Sequence, residues 1–67
     1  MKVYFENSFG EKREIGQVND KKKAFEVINS FLLAHNFTSY YTRYWEEDNY
    51  WKVDVGSHTE FFYISKD

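Results

Sequence analysis

The fold is decided by residues 19–36, which read NDKKKAFEVINSFLLAHN. Their apolar side chains recur at the three- and four-residue spacing of an amphipathic helix. The apolar face carries Ala24, Phe25, Val27, Ile28, Phe31, Leu32 and His35. The opposite face carries Lys22, Glu26, Asn29 and Leu33. Asn19 or Asp20 can cap the first turn and Asn36 can end the helix in the left-handed conformation, so the stretch predicts one well-bounded helix.

On either side of this helix the pattern changes to strands. Residues 2–5 and 13–18 are β-branched or aromatic runs separated by turn residues, and they predict a hairpin with Gly16 as a candidate bulge. Residues 40–45, 50–55 and 59–65 alternate with a period of two and are joined by short turns, so they predict a three-stranded meander. The order β-β-α-β-β-β predicts one α+β domain over residues 1–67, with one helix packed on one face of an antiparallel sheet.

Strand alternation predicts what the helix leaves uncovered. Trp51, Val53 and Val55 share one face of their strand and are assigned to the helix, while Tyr50 shares the other face with Lys52 and Asp54. For residues 40–45 and 59–65 either orientation remains open. Each orientation places at least one aromatic ring beside Tyr50 on the helix-free face, so we expect a ring-bearing surface there.

The composition limits the function classes. The chain has 67 residues, no cysteine and 22% aromatic residues, so it has no disulfide or thiolate metal site, and its rings compensate for a small core. No apolar run approaches the ~20 residues that cross a bilayer, and no export signal is recognisable, so we expect a soluble, cytoplasmic protein without membrane contact. Its net charge of −2 combines a basic first third with an acidic second half.

Three sequence segments resemble a known group of proteins. They are KVYFEN at residues 2–7, NFTSYYTRYWEE at residues 36–47 and DVGSHTEFF at residues 54–62. Together they are similar to small, uncharacterised proteins encoded by phages and prophages of low-GC Gram-positive bacteria, and the similarity extends over nearly the whole chain. The group has no known activity, cofactor or catalytic residue. The resemblance implies an intracellular protein made in a bacterial host, where many small phage proteins bind host macromolecules.

Candidate reactive side chains are few. Asp54, His58 and Glu60 flank one turn and are of the types that bind metals or transfer protons, but their spacing is that of an ordinary polar turn. His35 lies near the helix end and is interpreted as a packed or capping residue. There is no glycine-rich phosphate loop and no nucleophile beside a base. We therefore predict no enzyme activity, no metal, no cofactor and no small-molecule substrate.

The aromatic surplus favours a binding function. Our first hypothesis is a protein-binding module, with a host protein or a second copy as partner, because exposed aromatic rings are typical of interfaces. Its candidate residues are Tyr40, Arg43, Tyr44, Tyr50, Lys52, Phe61 and Tyr63. The alternative is a nucleic-acid-binding accessory protein that uses Lys21, Lys22 and Lys23 together with the sheet aromatics. The acidic second half and the small size of the lysine cluster argue against it.

Overall fold

The fold is a five-stranded antiparallel sheet with one helix packed on one face. It is known from a computed structural model that describes residues 1–36, 42–57 and 59–66. The elements are β1 Lys2–Glu6, β2 Lys12–Gln17, α1 Lys21–Ala34, β3 Arg43–Glu46, β4 Tyr50–Asp54 and β5 Phe61–Ser65. The predicted α+β class and the order β-β-α-β-β-β are confirmed.

The strands lie side by side in the order β2-β1-β5-β4-β3. The predicted β1–β2 hairpin and β3–β4–β5 meander are both present. The two units join where β1 pairs with β5, with Val3 opposite Ile64 and Phe5 opposite Phe62. This places the first strand in the interior of the sheet, an arrangement that no local sequence pattern signals.

The β1–β2 hairpin contains the predicted bulge. Asn7 Oδ1 accepts hydrogen bonds from the backbone N–H groups of Phe9 and Glu11, which closes the turn. The strand register shifts between Val3 and Tyr4, opposite the segment that ends at Gly16. A Cβ atom at Gly16 would lie 3.0 Å from Val27 Cγ1, so the missing side chain lets α1 approach β2 closely.

The helix ends are those that the sequence indicates. Asp20 is the N-cap, and its Oδ1 accepts a 2.8 Å hydrogen bond from the Lys23 backbone N–H. Asn36 has a φ of 63°, the left-handed conformation that ends many helices. Among residues 1–36, 42–57 and 59–66, no helix is both long and apolar enough to cross a membrane.

The core lies between α1 and the covered face of the sheet. Its buried side chains are Val3, Ala24, Ile28, Leu32, Val53, Val55, Phe62 and Ile64. Phe5, Phe31 and Phe62 form a ring cluster with centroids 4.7 to 5.5 Å apart, and the partly buried Trp51 packs against the buried core. Since each fully buried large apolar side chain contributes about 1.5–3 kcal/mol, this layer accounts for most of the favourable energy available to so short a chain.

Candidate protein-binding face

The side of the sheet that α1 does not cover is called the open face here. Strand pairing assigns its residues, because directly paired residues point to the same side. The pairs Glu6–Phe61 and Tyr4–Tyr63 join β1 to β5, while Tyr63–Lys52 joins β5 to β4. The open face therefore carries Tyr4, Glu6, Lys12, Glu14, Arg43, Trp45, Tyr50, Lys52, Asp54, Phe61 and Tyr63.

Tyr63 lies at the centre of the open face. Its hydroxyl donates a 2.8 Å hydrogen bond to Glu6 Oε1, and its ring meets Tyr50 edge to face with centroids 5.5 Å apart. Burial, and after it the hydrogen bond to Glu6, together raise the pKa of Tyr63 to about 12. This phenol therefore stays protonated at neutral pH and acts as a fixed hydrogen-bond donor.

Two lysines lie over the aromatic floor. The Nζ of Lys12 is 4.1 Å from the Tyr63 ring centroid, and the Nζ of Lys52 is 4.3 Å from the Phe61 ring centroid. Both distances fall within the range of a cation–π contact. The ammonium groups come from β2 and β4, on either side of the rings. The open face thus combines apolar area with two fixed positive charges.

A cleft opens beside these rings. It has a volume of about 390 Å³ and is lined by Tyr4, Lys12, Glu14, Tyr50 and Tyr63, among others. Tyr50 is the most exposed aromatic ring in its wall, at 39%. The cleft is large enough for one or two side chains of a partner.

Asp54 has a structural role at the far end of the open face. It is only 6% exposed, and it accepts a 2.9 Å bond from Arg43 Nη2 and a 3.1 Å bond from the Gly56 backbone N–H. Glu60 Oε1 accepts a bond from Ser57 Oγ, while His58 lies outside the described residues. Within the part of the chain that the structure describes, no three acidic or histidine side chains come together as metal ligands.

The predicted position of Tyr44 on the open face is wrong. Tyr44 pairs with Val53 and therefore points to the helix side, where its ring lies 5.4 Å from that of Phe25. Sequence alternation leaves this orientation open, because it depends on where the turn between β3 and β4 falls. Tyr40, which was predicted to belong to the same strand, lies outside the described residues.

Several open-face residues were not among the sequence candidates. Trp45 pairs with Lys52 and is 46% exposed, so it replaces Tyr44 on this side of β3. Tyr4 and Lys12 reach the face because β1 lies beside β5. The period-two alternation could have grouped Tyr4 with Glu6. Nothing local in the sequence indicates that β1 and β5 are neighbours.

The lysine cluster lies on the other side of the molecule. The Nζ of Lys21 is 4.7 Å from the Tyr44 ring centroid and 5.0 Å from that of Trp51, both on the side that the helix covers. Lys22 and Lys23 are exposed on the helix. The three lysines and the open face are thus not on one surface, so the nucleic-acid hypothesis cannot use both at once.

His35 is a capping residue, as predicted. Its ring stacks on Phe31 with centroids 4.1 Å apart, and its Nδ1 lies 2.9 Å from the Phe31 carbonyl oxygen at the end of α1. A ring nitrogen that donates to a terminal helix carbonyl satisfies one of the acceptors that a helix end exposes. The histidine therefore belongs to the helix end and not to a site.

Comparison of the chain with protein-family models, with curated proteins and with solved structures found no match. The chemistry and geometry of the open face are therefore the basis on which a function can be inferred.

Proposed function

We propose that this protein is a non-enzymatic protein-binding module that contacts its partner with the open face. The observation that carries the proposal is the aromatic floor of Phe61, Tyr63 and Tyr50, in which Tyr50 is exposed and the half-buried Phe61 and Tyr63 are overlaid by Lys52 and Lys12. Rings of this kind are enriched in interface hot spots, and rigid aromatic side chains lose little conformational entropy on binding.

The charges of the open face indicate the chemistry of the partner. Neither Lys12 nor Lys52 forms an ion pair with a carboxylate of residues 1–36, 42–57 or 59–66. By contrast, Glu6 accepts the Tyr63 hydroxyl and Asp54 accepts Arg43. The fitting partner surface is therefore apolar at its centre, to cover the rings, and carries carboxylates placed to reach the two ammonium groups.

The remaining parts of the proposal have their own support. A non-enzymatic role is supported by Asp54, whose carboxylate accepts hydrogen bonds from Arg43 and from the Gly56 backbone N–H and so has a structural role. A bacterial host protein as partner, and a place in the host cytoplasm, are supported by the resemblance to phage and prophage proteins. The host partner and the cytoplasmic location belong to one proposal, because the protein would bind a host protein inside the host cell.

The test is capture of partners from a Gram-positive bacterial lysate on immobilised protein, followed by titration with the purified captured protein. We expect Tyr50→Ala to weaken binding at least tenfold, because it removes the most exposed aromatic ring of the cleft. Leu33→Ala is the control, since Leu33 is 68% exposed on the helix, away from the sheet. Equal affinity of the wild type and Tyr50→Ala would refute the proposal.

A second candidate is single-stranded nucleic acid bound on the open face. The interleaving of Lys12 and Lys52 with Tyr63 and Phe61 favours it, because stacked bases and backbone phosphates need rings and cations together. In this form Lys21, Lys22 and Lys23 have no part. A salt titration with single-stranded DNA and RNA tests it, and absence of binding at low ionic strength would eliminate it.

A further inference from the structure

The two edges of the sheet differ in how they are protected. The β2 edge carries three consecutive charges, Lys12, Arg13 and Glu14, and contains the register shift near Gly16. Charged side chains and bulges are the usual means by which a sheet edge avoids pairing with another chain. The β3 edge contains no register shift and exposes two large rings, Tyr44 at 49% and Trp45 at 46%.

The backbone of β3 presents its hydrogen-bonding groups outward at Tyr44. The Glu47 N–H donates a 2.8 Å bond to the Tyr50 carbonyl, which makes these two residues a hydrogen-bonded pair. Because hydrogen-bonded and non-hydrogen-bonded pairs alternate along an antiparallel ladder, Trp45 bonds to Lys52 while Tyr44, opposite Val53, does not.

The N–H and C=O of Tyr44 therefore point away from β4. The same alternation turns the backbone groups of Glu46 outward as well. β3 is the last strand of the sheet, and within the described residues no strand pairs with its outer side. This side thus offers a short row of outward-facing backbone donors and acceptors.

We propose that two copies of this chain associate by antiparallel pairing of their β3 strands, with Tyr44 on the two-fold axis. In this register Tyr44 pairs with Tyr44 of the second copy, Arg43 with Trp45, and Thr42 with Glu46. A residue with outward-facing backbone groups can bond reciprocally to its own symmetry mate, so the pairing supplies about six interchain hydrogen bonds once Thr42 is extended.

The side chains of β3 complement themselves in this register. Arg43 and Trp45 share the open face, with the Arg43 Cζ 5.5 Å from the Trp45 ring centroid within one chain. Across the axis, the guanidinium of one copy faces the indole of the other, a second cation–π contact. The two Tyr44 rings meet on the helix side. Like charges do not oppose each other anywhere along the pairing.

Other registers are less favourable. A slip of one residue pairs side chains from opposite faces of the two sheets, which removes every contact described above. A slip that places Trp45 on the axis keeps the faces matched but sets Thr42 opposite the turn residue Asp48 and leaves fewer outward-facing backbone groups engaged. The register with Tyr44 on the axis uses all of them.

This association is separate from the proposed function. It uses the edge of the sheet, and it would join the open faces of two copies into one continuous surface. The two ideas can fail independently, because the cleft is lined by residues of β1, β2 and β5 and by Tyr50 at the start of β4, and none of its lining residues belongs to β3.

Disulfide trapping tests the pairing, because the chain has no cysteine and each variant then carries one thiol. Across a hydrogen-bonded antiparallel pair the Cα atoms are about 5.5 Å apart, within the span of a disulfide. We expect Tyr44→Cys to form a covalent dimer at least tenfold faster than Tyr50→Cys, the matched tyrosine control. Equal rates, or faster trapping of Trp45→Cys, would overturn the proposal.

A backbone variant keeps the test valid if Tyr44→Cys folds poorly. A chain of 67 residues can be made by chemical synthesis with an N-methyl group on Tyr44, which removes the outward donor and retains the ring. Sedimentation equilibrium should show a wild-type dimer at high micromolar concentration and at least tenfold weaker association of the N-methyl variant. Tyr50→Ala should dimerise as the wild type does. A monomeric wild type, or an unaffected N-methyl variant, would overturn the inference.

Discussion

Replacement of Tyr63 by Phe removes one hydroxyl from the open face and leaves the ring in place. In the wild type this hydroxyl donates to Glu6 Oε1, and burial together with that bond raises the pKa of Tyr63 to about 12. An unfolded tyrosine has a pKa of about 10. The contribution of this hydroxyl to the free energy of unfolding is therefore fully present below pH 10. It is lost as the pH rises from 10 to 12, because the unfolded chain releases the proton at a lower pH than the folded chain does.

The size of the effect follows from the two pKa values. Two pKa units correspond to at most ~2.7 kcal/mol. Tyr63 is only half-buried, so solvent screening reduces the expected loss to about 1 kcal/mol. At neutral pH, Tyr63→Phe should be less stable than the wild type by about 1–1.5 kcal/mol, the net contribution of a typical intramolecular hydrogen bond. This difference should shrink between pH 10 and pH 12.

Urea unfolding followed by tryptophan fluorescence, repeated from neutral pH to above pH 11, measures this difference directly. Tyr50→Phe is the matched control, because it removes a hydroxyl from a more exposed ring of the same face. A stability difference between the wild type and Tyr63→Phe that stays constant up to pH 12 would refute the reasoning. So would a variant that is as stable as the wild type at neutral pH.

Two further predictions concern the fold that positions the open face. Gly16→Ala should cost about 1 kcal/mol, or about 4–8 °C in Tm, because the new Cβ would lie 3.0 Å from Val27 Cγ1. Most of that cost should disappear in the Val27→Ala background, and a fully additive double mutant would contradict the steric explanation. Asp20→Ala should also cost about 1 kcal/mol of unfolding free energy, because the Lys23 N–H loses its acceptor. Asn19→Ala is the control. If thermal unfolding shows that Asn19→Ala lowers the Tm more than Asp20→Ala does, Asp20 is not the residue that caps the helix.

The helix could be predicted from the sequence because its determinants are local. The apolar period, the capping Asp20 and the left-handed Asn36 all lie within one stretch and act through neighbouring backbone groups. The bulge at Gly16 was predicted for the same reason. Local rules of this kind transfer well from sequence to structure, since they do not depend on the rest of the chain.

The candidate site could be predicted only in part. Tyr50, Lys52, Phe61 and Tyr63 share the open face, as alternation around Tyr50 predicted or allowed. Tyr44 was assigned to the wrong face because a shift of one residue in the position of a turn moves every side chain of the strand to the opposite face of the sheet.

Residues that depend on non-local pairing could not be predicted at all. Lys12 reaches the ring of Tyr63 only because β1 separates β2 from β5. The order of strands is a property of the whole chain, and a single sequence does not encode it in any short pattern.

The pairing of β1 with β5 has a consequence for how the protein is made. The β1–β2 hairpin and the β3–β4–β5 meander are each local in sequence, but Val3 pairs with Ile64 across almost the whole chain. Contacts between residues so far apart in sequence require the closure of a long loop, which costs entropy before the contacts can form. They therefore slow folding. During synthesis, β1 must therefore wait until Phe61–Ser65 has left the ribosome. Until then Val3 and Phe5 lack their strand partners Ile64 and Phe62, and apolar surface left uncovered at this stage favours aggregation.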